Sequence, residues 1–159
     1  MKRACLDNNI LIWGLRGVAS PGQENFPGRA ESLIAELDDS RAEMLVPAIV
    51  VAKFLAGVPK ERHEPLLRVL NLHFQLPPFD TRAAVVAAQL FRDASESHPR
   101  LRDTLRAADP AMTNVKYKAD MMILAIAVSR KVDVIYTHDS GLKKLAAELT
   151  DIEVRDVTA

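Results

Sequence analysis

Asp7, Asp120 and Asp139 each stand where a short apolar run ends or a long one begins. In an open α/β sheet the ligand crevice lies beyond the carboxyl ends of the strands, so acids at such junctions gather there from distant parts of the chain. Clustered carboxylates repel one another unless a cation neutralises them. Mg2+ or Mn2+ is the expected cation, because hard ions prefer oxygen ligands and keep bound waters. A metal so held activates water and stabilises charge developing on a phosphodiester during in-line attack. Asp7, Asp120 and Asp139 are the expected ligands and catalytic groups. Thr137 and Ser140 are expected to orient a water or a phosphate, or else to cap a helix, and Asn9 to brace Asp7 by a hydrogen bond. Any one of these acids taken alone reads more readily as a helix cap than as a ligand, and Asp120 is expected at the head of a buried helix, where the dipole favours it. Their agreement in position is what points to chemistry.

The elements that would position these groups are legible from periodicity. Ala4–Leu6 reads as a strand running into a helix at Ile10–Trp13, with Asp7, Asn8 and Asn9 at the turn. Gly14 to Gly28 collects glycine, serine and proline and is expected to be a mobile surface loop. Leu33, Ile34 and Leu37 predict an amphipathic helix over 29–41, and Met44–Val46 a second strand. Pro47 opens a helix over 48–56 that Gly57 and Pro59 end, and a further helix spans 60–73. Phe74–Leu76 reads as a third strand, and Asp80 and Thr81 cap an alanine-rich helix over 82–97. Residues 98–118 show no clean period and are expected to be a loop with at most a helical turn. The run Met121–Val128 is apolar on nearly every face and belongs to a buried helix. Val132–Tyr136 reads as a buried strand, followed by a helix over 141–149 and a closing edge strand within 152–157. Strands alternating with helices predict an α/β fold: a mostly parallel central sheet of four to five strands, flanked by helices on both faces. A chain of 159 residues fits one domain, 1–159.

Composition narrows the classes. Lys plus Arg and Asp plus Glu are 21 each, so any affinity for nucleic acid must be local. Arg100, Arg102, Arg106, Lys116 and Lys118 form a locally basic stretch that reads either as a phosphate-tracking face or as a solvated helix. No apolar run is long enough for a bilayer, and Met1–Arg3 enters a strand without the pattern of a secretory signal, so a cytoplasmic protein is expected. Cys5 is solitary among apolar neighbours and reads as a buried thiol. His63, His73, His98 and His138 lack zinc-ligand spacing. Trp13, Phe54 and Phe91 read as core.

Three strings carry a specific resemblance. LDNNILIWGL, VPAIVVAKFLAG and KADMMILAIAVSRKVDVIYTHDSGLKKL, in that order and spacing, resemble the PIN domain family, in particular the ribonuclease toxins of VapBC-type toxin–antitoxin pairs. FDTRAA, residues 79–84, is similar to the family's segment ahead of the following helix. The resemblance implies a PIN fold, a Mg2+ or Mn2+ site and endonucleolytic cleavage of RNA. It puts the family's acids on Asp7, Asp120 and Asp139, with Asn9 and Thr137 beside them. It also implies a homodimer and a cognate antitoxin that lays an apolar segment over the site.

The same resemblance exposes a departure, because the family's glutamate in the helix after the second strand falls on Lys53. An ammonium there is expected either to act as an internal counter-ion that weakens metal binding and activity, or to reach the rim and contact RNA phosphate. Asn8 and Ala119 are smaller departures. Two rivals follow: a PIN module that binds RNA or a protein partner without cutting, and a haloacid dehalogenase-like phosphatase. The phosphatase needs a second acid two residues after the first, where this chain has Asn9.

Overall fold

The protein is represented by a computed structural model, which describes residues 2–157. Strands β1 (Arg3–Leu6), β2 (Glu43–Leu45), β3 (Val134–Tyr136) and β4 (Glu153–Arg155) form one parallel sheet in the order β2-β1-β3-β4. Ala4–Leu6 and all of β3 are buried although successive side chains point to opposite faces. Helices therefore cover the central strands on both sides, as parallel pairing requires. The order reverses between β1 and β3, and this switch point is where the loops after both strands meet.

Helix α1 (Asn8–Arg16) leaves β1 directly and ends at Gly17, whose positive φ and N–H to the Trp13 carbonyl, 3.1 Å, close the last turn. Helix α2 (Phe26–Asp39) packs against α1, and α3 (Ala48–Ala56) starts right after β2 and Pro47. A 3-10 turn at Lys60–Arg62 leads into α4 (His63–His73). Helix α5 (Thr81–Ser97) buries Ala83, Ala87, Leu90 and Ala94, a stripe of mostly small side chains that lets it lie closely along α7 (Asn114–Ser129). Helices α6 (Leu101–Ala108) and α8 (Ser140–Leu149) complete the layers.

Asp80 shows how one side chain sets a boundary. Its Oδ1 accepts from the Ala83 N–H at 2.9 Å and its Oδ2 from Arg130 Nη2 at 2.8 Å, tying the start of α5 to the end of α7. Asp80→Ala is expected to lower the urea unfolding midpoint, nearly all from the lost cap. The Arg130 pair adds little because the Asp80 side chain is 37% exposed. An unchanged midpoint would show that the cap does not hold the helix.

Four expectations need correcting. Gly14 lies inside α1 and Phe26–Gly28 inside the first turns of α2, so the irregular segment shrinks to 17–25; Pro27 suits a helix start, where no amide donor is needed. Residues 98–118 are not a loop. They contain α6, held by Leu101 and Leu105 one turn apart, and the first turn of α7, with Pro99 and Pro110 outside both helices. Asp120 does not head its helix: Thr113 caps α7, its Oγ1 accepting from the Lys116 N–H at 3.1 Å, and Asp120 lies in the second turn. The sheet has four strands, at the lower end of the expected number. Around Phe74–Leu76 only the Leu45–Gln75 bridge forms, because Pro77 and Pro78 have no N–H to extend a ladder.

Candidate functional site

Asp7 follows β1, and its N–H still pairs with the Tyr136 carbonyl of β3 at 3.0 Å. The backbone beneath the side chain is therefore fixed by the sheet. Its Oδ1 accepts from the Asn8 N–H at 2.7 Å and its Oδ2 from Thr137 Oγ1 at 2.7 Å. Thr137 is 0% exposed, and the same oxygen accepts from the Asp139 N–H at 3.0 Å. One hydroxyl thus couples the loop after β1 to the loop after β3. Asp139 caps α8, its Oδ1 accepting from the Leu142 N–H at 2.9 Å.

The third acid arrives from a helix. Asp120 is 1% exposed, in the buried part of α7. Burial pushes its carboxyl up to about 6, with the charges of Asp139 and Asp7 adding, while Lys116 and Lys53 pull the other way. Asp139 goes the opposite direction. Burial raises it, but hydrogen bonds from Lys116 and Leu142, with the charges of Lys116 and Lys53, outweigh that and hold it below the ordinary range. The Cys5 thiol is buried and is pushed up, first by desolvation and then by Asp7, which leaves it inert as a nucleophile.

Lys116 is the residue the sequence reading missed. Its Nζ lies 2.8 Å from Asp139 Oδ2, 3.4 Å from Asp120 Oδ2 and 3.7 Å from Asp109 Oδ2. Burial alone would lower its pKa, yet the Asp139 hydrogen bond and the charges of Asp120 and Asp139 raise it, so the ammonium stays charged. The signal was the four-residue spacing of Lys116 and Asp120, which has meaning only once α7 is known to begin at Asn114.

The other expected residues fall as follows. Lys53, in α3, acts on Asp120 and Asp139 only through its charge and makes no ion pair within 4.0 Å among the described residues. The contact expected of it belongs to Lys116. Asn9 makes no hydrogen bond to Asp7 among the described residues; the brace comes from the Asn8 N–H and Thr137, since the first amide of α1 already faces the carboxyl. Ser140 is the exposed first residue of α8, and its hydroxyl has no hydrogen bond among the described residues. His138 turns to packing: its ring meets Trp13 and Phe26 edge to face, each at 5.4 Å, and its Nδ1 lies 2.8 Å from Asp156 Oδ2. Trp13 and Phe54 are buried and Phe91 half-buried.

A divalent ion makes a stricter demand than a shared rim. Among the described residues no three His, Cys, Asp or Glu side chains are disposed to hold one metal ion. Asp120 and Asp139 instead converge on an ammonium. With Lys116 in place, the cluster does not offer three carboxylates to one Mg2+ or Mn2+.

A parallel sheet with α/β crossovers and acids at its switch point defines a class, and comparison agrees. The chain belongs to the PIN domain family, whose profile matches residues 4–148. Its fold resembles VapBC from Salmonella typhimurium bound to DNA, at 19% identity over 99% of each chain with a TM-score of 0.63. It also resembles VapBC-1 from nontypeable Haemophilus influenzae, at 16% identity over 99% of each chain with a TM-score of 0.60. FitAcB from Neisseria gonorrhoeae is similar at 18% identity over 98% of each chain, with a TM-score of 0.58. At these identities the likeness speaks to the fold. No curated protein sequence matches the chain. Among the described residues no helix is long and apolar enough to cross a membrane.

Proposed function

We propose that this chain, as one domain over 1–159, is a PIN-type endoribonuclease whose site is Asp7, Asp120 and Asp139, and that its activity is held low by its own lysines. The observation that carries the reading is the convergence of the acids: Asp120 and Asp139 share one ammonium, and Thr137 joins Asp139 to Asp7. A cation-demanding rim of this kind suits the anionic backbone of RNA and the charge that grows on a phosphodiester during cleavage. The family resemblance implies Mg2+ or Mn2+ there, and the chemistry such an ion would supply is activation of water. The chain's own part is to hold the carboxylates in register through the sheet and the Thr137 hydroxyl.

The VapBC-like fold supports a toxin role with an antitoxin partner, and a homodimer is proposed on the family resemblance. A second reading, a PIN module that binds RNA or a protein without cutting, is favoured by the Lys116 ion pairs and by Lys53 in place of the family's glutamate. The phosphatase reading has no support, since Asn9 supplies no second acid.

Digestion of a structured RNA with Mn2+ decides between them. The natural protein is expected to cut slowly, Lys53→Glu faster, and Asp7→Asn slower than the natural protein by about a hundredfold or more, since loss of a candidate ligand exceeds the usual cost of losing a group behind one. RNA cleavage that survives Asp7→Asn would remove the site assignment. Binding of RNA without cleavage by either the natural protein or Lys53→Glu would select the binding module.

A further inference from the structure

The cluster resolves its charge without a metal, and the group responsible is built into the chain. We propose that the Lys116 ammonium is a tethered counter-cation that a divalent ion must displace from Asp139 and Asp120 before the cluster can bind it. The inference rests on reading the cluster as a cation site.

Geometry carries it. The ammonium contacts both Asp139 oxygens, at 2.8 and 3.1 Å, and Asp120 Oδ2 at 3.4 Å, so it spans two acids from different elements. Beneath it lies Gly141. A Cβ there would stand 2.6 Å from Met112 Cε, 3.1 Å from Asp139 Oδ1 and 3.2 Å from Lys116 Nζ, so the absence of a side chain leaves room for the Met112 side chain and for this ion pair together. The location is also costly for a cation on helical grounds. Lys116 sits in the first turn of α7, where the positive end of the dipole repels it, and the carboxylates must overcome that.

A tethered ligand competes differently from one in solution. It loses little freedom when it binds, and its effective concentration at the site is fixed by its own short chain. A free ion must displace it at whatever concentration the medium provides. Lys53 differs: it adds positive charge to the neighbourhood without touching a carboxylate, so it weakens binding of any cation through its field alone.

The test is Mn2+ titration by calorimetry on the full chain, with thermal melts alongside. Lys116→Met is expected to bind Mn2+ about ten- to a hundredfold more tightly than the natural protein, since one partly buried charged hydrogen-bonding group is removed. It should also melt lower without metal and recover on adding Mn2+. Lys116→Arg keeps the charge and should stay as weak as the natural protein, and Lys53→Met should gain several-fold less than Lys116→Met. Equal Mn2+ affinity of the natural chain and Lys116→Met overturns the proposal, and so does an equal gain from Lys53→Met, which would reduce the effect to overall charge. Should Lys116→Met fail to fold, Lys116→Gln removes the charge but keeps a polar side chain and must also raise Mn2+ affinity; no gain there overturns the proposal too. RNA digestion separates the two claims. A gain in Mn2+ binding with no cutting by any variant upholds the displaced lysine and rejects the nuclease, whereas cutting by the natural protein with unchanged affinity in Lys116→Met does the reverse.

Discussion

Thr137→Val is expected to lower the free energy of unfolding by about 3 kcal/mol, although valine has nearly the shape of threonine. The hydroxyl donates to Asp7 Oδ2 and accepts the Asp139 N–H, so its loss strands a buried acid and a loop amide together. Leaving such partners unpaired costs more than the hydrogen bonds themselves contribute. Serine should recover most of the loss because it restores the oxygen. Urea unfolding of the three proteins reads this directly, and a valine variant as resistant as threonine would show that the two loops do not depend on this hydroxyl. Under the nuclease reading, RNA cleavage should fall with it, as the loops after β1 and β3 are no longer joined.

Asp120→Asn should do the opposite to stability at neutral and alkaline pH. The carboxyl of Asp120 is raised to about 6 in the folded chain, chiefly by burial, against about 3.9 for an unfolded aspartate. An acid with a raised folded pKa favours folding while protonated and loses that contribution as pH climbs through the folded value. Asparagine is never ionised, so at pH 8 in chelator the variant should be more stable by about 2 kcal/mol. The advantage should shrink below pH 6 and vanish near pH 4. Equal stability at pH 8 would mean that the buried carboxylate carries no net penalty and that its titration is not raised in the folded chain. An acid retained at a cost to folding is consistent with a functional role, since activity and stability commonly oppose each other at such sites.

Parts of this arrangement were legible in the residues and parts were not, for physical reasons. Pro47, Gly57 and Pro59 bracket α3 because proline and glycine act on the backbone wherever they stand, and the structure gives 48–56 as read. Asp80 was recognised as a cap by the same local logic. The start of α7 was not, because Asn114–Lys118 is polar and the apolar run begins only at Met121. That error moved Asp120 to a helix head and hid its pairing with Lys116. Helix α6 escaped because two leucines one turn apart give too little period to register. That Asp7 and Asp139 lie close together was legible because both follow strands, a relation that topology preserves. Which atoms hold them was not legible: the Asn8 backbone replaced Asn9, and Lys116 took the contact assigned to Lys53. Those choices turn on ångström differences in where a side chain ends, and motif spacing does not carry them.

The edge-to-face packing of Trp13 on His138 gives the chain an internal reporter. Trp13 is its sole tryptophan, and its neighbour His138 lies between Thr137 and Asp139. Any movement of that loop, as the acids exchange one cation for another or meet a ligand, alters the surroundings of a single indole. Its emission intensity and colour follow the event in real time, on the unlabelled protein, with no other indole contributing background.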